Sequence, residues 1–318
     1  MITGYLALDP MALLRALPGN VAQGLIWGIM ALGVYITFRI LDFADLTVDG
    51  SLATGGAVAV MLIQSGMHPA VSLVFAFLAG MAAGFVTGFL HTALGIPGIL
   101  ASILTQISLY SVNLGIMGKA NQSIGLTQRN LVASSRYVTA DDSVFFFVKL
   151  VAGCLILVAV VYWLFGTELG SSIRATGCNP QMARAQGINT NFTKVIALMI
   201  SNGLVGLCGG IYAQYQGSAD VNAGRGAIVI GLAAVIIGEV LFSRIFRNFA
   251  LRLLGVSLGA VVYYLVIQVV LNLGLNTNDL KLISAFVVAI FLAVPYWKGK
   301  YFRGAAKSAA KTDAKEAK

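Results

Sequence analysis

Long apolar blocks alternate with short polar stretches along the chain, and the polar stretches hold most of the charge. A hydrocarbon slab about 30 Å thick takes roughly 20 helical residues to cross, which sets the length against which the blocks are read. Nine blocks come near it, at 20–38, 51–65, 69–94, 98–118, 144–165, 192–215, 227–242, 251–272 and 282–297. Barrel strands are excluded because they alternate apolar and polar positions over about 10 residues, whereas these blocks are apolar throughout. The pattern predicts an all-α, polytopic integral membrane helical bundle with about nine transmembrane helices. The second and seventh blocks are short and carry Gly55, Gly56, Gly231 and Gly238, so short or broken helices are expected there. Gly80, Gly84 and Gly88 recur every four residues, as do Gly255 and Gly259, and such faces let helices pack closely.

Of the 318 residues, 58% are hydrophobic and 10% charged, with a mean hydropathy of +0.87, more apolar surface than a water-soluble core can hide. The surrounding solvent is therefore lipid. A net charge of +9 raises nucleic acid as a partner, but the basic residues sort by side of the membrane instead of clustering on one face, so none is expected. With the C-terminus in the cytoplasm and an odd number of spans, the N-terminus lies outside. The inner segments then hold Arg39, Arg174, Arg184, Lys194, Arg244, Arg247, Arg252 and the tail from Lys298. A smaller scatter stays outside: Arg15, Lys119, Arg129, Arg136, Arg225 and Lys281.

Residues 1–19 are read as an extracytoplasmic N-terminal segment, where Asp9, Arg15 and Pro18 interrupt any cleavable signal and Leu13, Leu14 and Leu17 suit a short interfacial helix. Residues 20–303 form the membrane domain, and 304–318, rich in Ala and Lys, a disordered cytoplasmic tail. Cys154 and Cys208 fall inside blocks and Cys178 in an inner loop, so no disulfide is expected. His68 and His91 lack metal-ligand spacing, and no catalytic or metal-binding residue is assigned.

The longest inner polar stretch, 166–193, carries helix punctuation. Asn179 can cap, Pro180 suits the first helical position, residues from Gln181 to Gln186 can turn, and Gly187 can end the helix left-handed. A two-turn helix along the membrane surface is expected. It suits an ordinary capped loop or a partner-docking element equally well.

Gly177, Asn179, Ala183, Arg184, Gly187 and Ile188 form a pattern similar to the GxNxxAARxxGI loop of permease subunits of ATP-binding-cassette importers, in the ribose and branched-chain amino-acid branch. The run DLTVDGS at 45–51 resembles that family's DLSVGS element with an inserted aspartate. The longer run RILDFADLTVDGS, 39–51, is closest to a subgroup associated with tryptophan or tyrosine importers. The resemblance covers about 13–297, without the ribose branch's extra N-terminal span. It implies that 166–193 is a coupling loop, with Asn179, Pro180, Gln181, Ala183, Arg184 and Gly187 seated in a cytoplasmic ATPase subunit. It also implies an extracytoplasmic substrate-binding protein, a second permease copy in a homodimer, and a place in the bacterial cytoplasmic membrane. The sequence contains no GxxxxGK[ST] loop, so the chain is read as a transport subunit with no cofactor of its own, and ATP is used by the partner.

Candidates for a gate or pathway are Asp45, Asp49, Gln106, Asn113 and Asn202. Asp42, Asp45 and Asp49 beside Arg39 fit a substrate-facing turn or, preferably, an inner-surface turn held by an Arg39 ion pair and helix caps. Gln23, Gln214 and Gln268 are further polar residues inside blocks, and each suits interhelical hydrogen bonding as well as a pathway. Glu239 is expected to pair with Arg244 or Arg247. A lining almost free of carboxylates argues against an ion-coupled carrier, and no buried nucleophile and base suggest an intramembrane enzyme. The expected solute is small and neutral or zwitterionic, an amino acid with aromatic ones favoured by the resemblance, a sugar or nucleoside being the alternative.

Overall fold

The computed structural model describes residues 10–125, 131–134, 143–242, 248–272 and a few between 282 and 293. Helix α1 runs Pro10–Tyr35 and continues as a π-helical turn, Ile36–Ile40. Then follow α2 (Thr47–Gln64), α3 (Pro69–Thr92), α4 (Gly98–Met117), β1 (Asn121–Ser123) and α5 (Ser143–Gly166). The rest comprises α6 (Glu168–Cys178), α7 (Pro180–Ala185), α8 (Thr190–Gln216), β2 (Ser218–Asp220), α9 (Ala227–Phe242) and α10 (Phe249–Asn272). Seven of these helices are long and apolar enough to cross a membrane, and α9, with 16 residues, is shorter. The protein is an all-α membrane bundle. The expected ninth span, 282–297, lies largely outside the described residues, as does the tail.

Helix α8 is the axis of the bundle and packs against α1, α2 and α3. Glycine makes this possible, because the α3 and α8 backbones touch. A methyl group on Gly80 or Gly84 would strike the carbonyls of Asn202 and Leu198, so the predicted stripe is a backbone seam. Gly55 meets the Gly206 carbonyl in the same way, and Gly259 that of Ala234 where α9 and α10 cross. The glycines inside α2 and α9 thus leave both helices continuous and serve as contact points. At the rim, α4 and α5 expose Leu104, Ile156 and Trp163, the apolar faces that lipid requires.

Two ends of the bundle can be told apart. At one, α7 stands between α6 and α8. At the other, β1 and β2 pair antiparallel as a short ribbon, Asn121 opposite Asp220, and Gln64 Nε2 donates to the Ser123 carbonyl at 2.7 Å. The ribbon went unread in the sequence, since strands of three residues, NQS and SAD, are too short to show a period.

Three expectations change. α1 begins at Pro10, so Leu13, Leu14 and Leu17 belong to the first long helix and not to a separate interfacial one. Arg39 makes its ion pair with Glu239, Nε to Oε1 at 2.8 Å, and not with the aspartate cluster. This contact brings the end of α1 to the end of α9, while Arg244 and Arg247 lie outside the described residues. Lastly, the three aspartates do not form one turn: Asp42 is exposed with a left-handed φ of +55°, Asp45 is buried, and Asp49 reaches across to α9.

Candidate functional site

The α7 end is built almost wholly from local bonds. Asn179 Oδ1 accepts from the backbone N–H groups of Gln181 and Met182, both at 3.1 Å, and Pro180 fills the first helical position. Gly187, at a φ of +82°, ends the helix, and Ile188 N donates back to the Ala183 carbonyl at 3.0 Å. Ala183 is buried, whereas Gln181, Met182, Arg184 and Gly187 are exposed, so one side anchors and the other faces solvent. Arg184 Nε donates to Thr190 Oγ1 at 2.7 Å, tying the knob to the first turn of α8.

Behind the knob, α6 connects it to α1. Gly177 lies against the Ile40 carbonyl too closely for a methyl group, and the Thr176 and Thr193 hydroxyls share a hydrogen bond at 2.9 Å. The knob therefore sits on a rigid bracket made by α6, the π-helical end of α1 and α8. The sequence did not signal α6 because Gly170, Ser171, Ser172 and Gly177 dilute any helical stripe.

Between the two ends, α2 starts beside the midpoint of α8. Asp45 Oδ1 accepts from Thr47 N at 2.9 Å, and its Oδ2 accepts from Asn202 Nδ2 at 2.6 Å. Asn202 Oδ1 in turn accepts from the Ser51 hydroxyl at 2.6 Å. All of these residues are buried. The two pathway candidates Asp45 and Asn202 thus satisfy each other inside the wall, which is what a buried carboxylate requires. Gln214 is also structural, donating to the Pro69 carbonyl at 3.0 Å and accepting from Val132 N at 3.0 Å.

Asp49 does something different. Its two carboxylate oxygens accept from Gly226 N and Ile228 N, each at 2.9 Å, so a residue of α2 caps the N-terminus of α9. The positive end of the α9 dipole favours that negative charge. The cap borders a pocket of about 300 Å³ between α2, α4 and the turn into α9. Asp49, Gln106 and Asn113, three of the five pathway candidates, line it together with Tyr110 and Arg225. Neither Gln23 nor Gln268 lines it. Sequence reading missed Tyr110 and placed Arg225 among scattered outer charges. The available signal was the Arg225-Gly226 step, since Gly226 has a φ of +86° and starts the short helix.

The family model described as branched-chain amino acid transport system, permease component, matches residues 19–295. Over 271 residues, 85% of this chain and 88% of the relative, the chain is 39% identical to a tyrosine transport system permease protein of Clostridioides difficile (strain R20291). It is 34% identical over 273 residues to an uncharacterised protein of Rickettsia prowazekii (strain Madrid E), covering 85% of this chain and 94% of that one. The autoinducer 2 import system permease protein LsrC of Yersinia pseudotuberculosis (serotype O:1b, strain IP 31758) is 30% identical over 199 residues, 60% of this chain and 53% of its own. No solved structure matches the chain. The chain belongs to the branched-chain amino acid transport system permease family, and is a multi-pass protein of the bacterial inner membrane.

Proposed function

We propose that this chain is the membrane permease subunit of an ATP-binding-cassette importer and forms the path for a small neutral or zwitterionic solute, an amino acid, with aromatic amino acids first. The observation that carries the reading is the α7 knob, exposed on one side and braced on the other by α6 and α8. Such a knob transmits force applied from outside the chain. An ATPase pair closing on α7 would move α6 and α8 together, and through Gly177 and Ile40 the end of α1 as well. The ATP chemistry belongs to that cytoplasmic partner. At the ribbon end, an extracytoplasmic binding protein delivers the solute, and a second copy of the chain completes the conduit within the lipid.

The amino-acid assignment draws on the tyrosine transport relative, which covers most of the chain. The autoinducer 2 permeases among the relatives favour a second reading, a sugar or nucleoside. Reconstitution of the permease with its ATPase and binding protein, followed by uptake of labelled L-tyrosine and ribose, separates the two. ATP-dependent uptake of tyrosine is expected. Uptake driven by an ion gradient without the ATPase would overturn the class. Orientation has its own check, because Cys178 is exposed while Cys154 and Cys208 are buried. An impermeant thiol reagent should label Cys178 in inverted vesicles and leave it unlabelled in intact cells.

A further inference from the structure

The pocket at the α2, α4 and α9 junction carries three features that point to an occupant. First, its two charges are unequally satisfied. The Asp49 carboxylate is held by two backbone N–H groups at the start of α9, a positive helix end. The Arg225 guanidinium, on the same wall, lies over the Tyr110 ring at 5.8 Å from its centroid and has no carboxylate within salt-bridge distance among the described residues. The uncompensated charge in the pocket is therefore positive. Second, Asn113 lines the pocket fully buried, with neither its Oδ1 nor its Nδ2 hydrogen-bonded. Leaving a buried amide in that condition is costly, so an occupant offering both a donor and an acceptor would recover the loss. Third, Ile107 and Val221 add apolar wall beside Tyr110. A volume of about 300 Å³ admits one small solute, since small-molecule sites start at about this size.

We infer that this pocket is a binding station for the backbone of an α-amino acid in zwitterionic form. The carboxylate meets Arg225 and the Asn113 Nδ2 donor. The ammonium faces Asn113 Oδ1 and the free lone pairs of Asp49, and the side chain lies on Tyr110 and its apolar neighbours. A sugar or nucleoside would leave Arg225 without its anion. The inference rests on the amino-acid permease reading and adds to it a discriminating residue set inside the membrane subunit. Recognition of this kind selects on the substrate's charge pattern after the binding protein has released it.

The test uses the permease–ATPase complex in lipid nanodiscs and labelled L-tyrosine as the probe, with tyramine, hydroxyphenylpropionate and ribose as competitors. L-tyrosine is expected to bind, hydroxyphenylpropionate to compete weakly, and tyramine and ribose not to compete. Arg225→Gln should weaken tyrosine binding by about tenfold or more, as loss of a charge-assisted contact does, while Arg225→Lys recovers part of it. Asn113→Leu should weaken it by a smaller factor. ATP hydrolysis by each variant complex reports that it has assembled. Unchanged tyrosine affinity in assembled Arg225→Gln, or competition by tyramine equal to tyrosine, overturns the inference. A complex that binds no probe yet takes up L-tyrosine overturns it and leaves the transport reading standing, whereas ribose binding in place of tyrosine overturns both.

Discussion

The α7 knob and the α2–α9 junction are both held by hydrogen bonds to helix ends, but the partners differ in distance along the chain. At the knob, Asn179 caps its own helix two and three residues on, and Arg184 reaches six residues to Thr190. At the junction, Asp49 bonds Gly226 at a separation of 177 and Asp45 bonds Asn202 at 157. A locally closed element keeps its shape while the rest of the bundle moves, as a part that receives force must. A junction made of long-range bonds exists only when α2, α8 and α9 are in one particular arrangement, so it is the part that a tilt of those helices would rearrange. On the proposed reading the first serves as a handle, while the second holds only as long as the helices around the pocket keep this arrangement.

If that contrast is right, breaking the long-range side should cost the fold, and breaking the local side should cost the coupling. The largest effect is expected from Asn202→Ala, which strips the Asp45 carboxylate of a donor and the Ser51 hydroxyl of its acceptor in a fully buried site. Leaving a buried carboxylate short of partners costs roughly 2 to 4 kcal/mol, so thermal denaturation of the purified protein should shift downward and less folded protein should be recovered. A variant as stable as the parent would mean that the network is dispensable and that α2 is held by its glycine contacts alone. Asp49→Ala comes next. It removes a cap worth about 1 to 2 kcal/mol at the start of α9, with the protein still assembled and amino-acid uptake reduced. Normal assembly with normal uptake would take Asp49 out of any gate.

The same contrast explains what the sequence disclosed. Span lengths were legible because bilayer thickness imposes them, and α7 was legible because cap, proline and terminal glycine lie within nine residues of one another, from 179 to 187. The Gly80, Gly84 and Gly88 stripe announced a close contact but not its partner, which turned out to be α8. Asp45, Asp49, Asn113 and Asn202 could be singled out as costly groups in an apolar chain. Their division into two buried wall residues and two pocket residues could not, since it depends on which helices lie side by side. The pairing of Arg39 with Glu239 is of the same kind: nearer basic residues looked like better partners until α1 and α9 were seen to end together.

The smallest effect on stability is expected at the knob, and it sharpens the comparison most. Asn179→Ala deletes the two bonds that start α7, a loss of about 1 kcal/mol confined to an exposed six-residue helix. The bracket behind it, with Gly177 on Ile40 and Thr176 on Thr193, does not involve this side chain, so denaturation should be nearly unchanged. What changes is the shape presented to the proposed ATPase partner. Stimulation of ATP hydrolysis by loaded binding protein should fall, and Asn179→Asp, which can cap the same two N–H groups, should restore it. Equal loss in Asn179→Asp and Asn179→Ala would point to the asparagine amide itself touching the partner, and the knob would then be a recognition surface in addition to a handle.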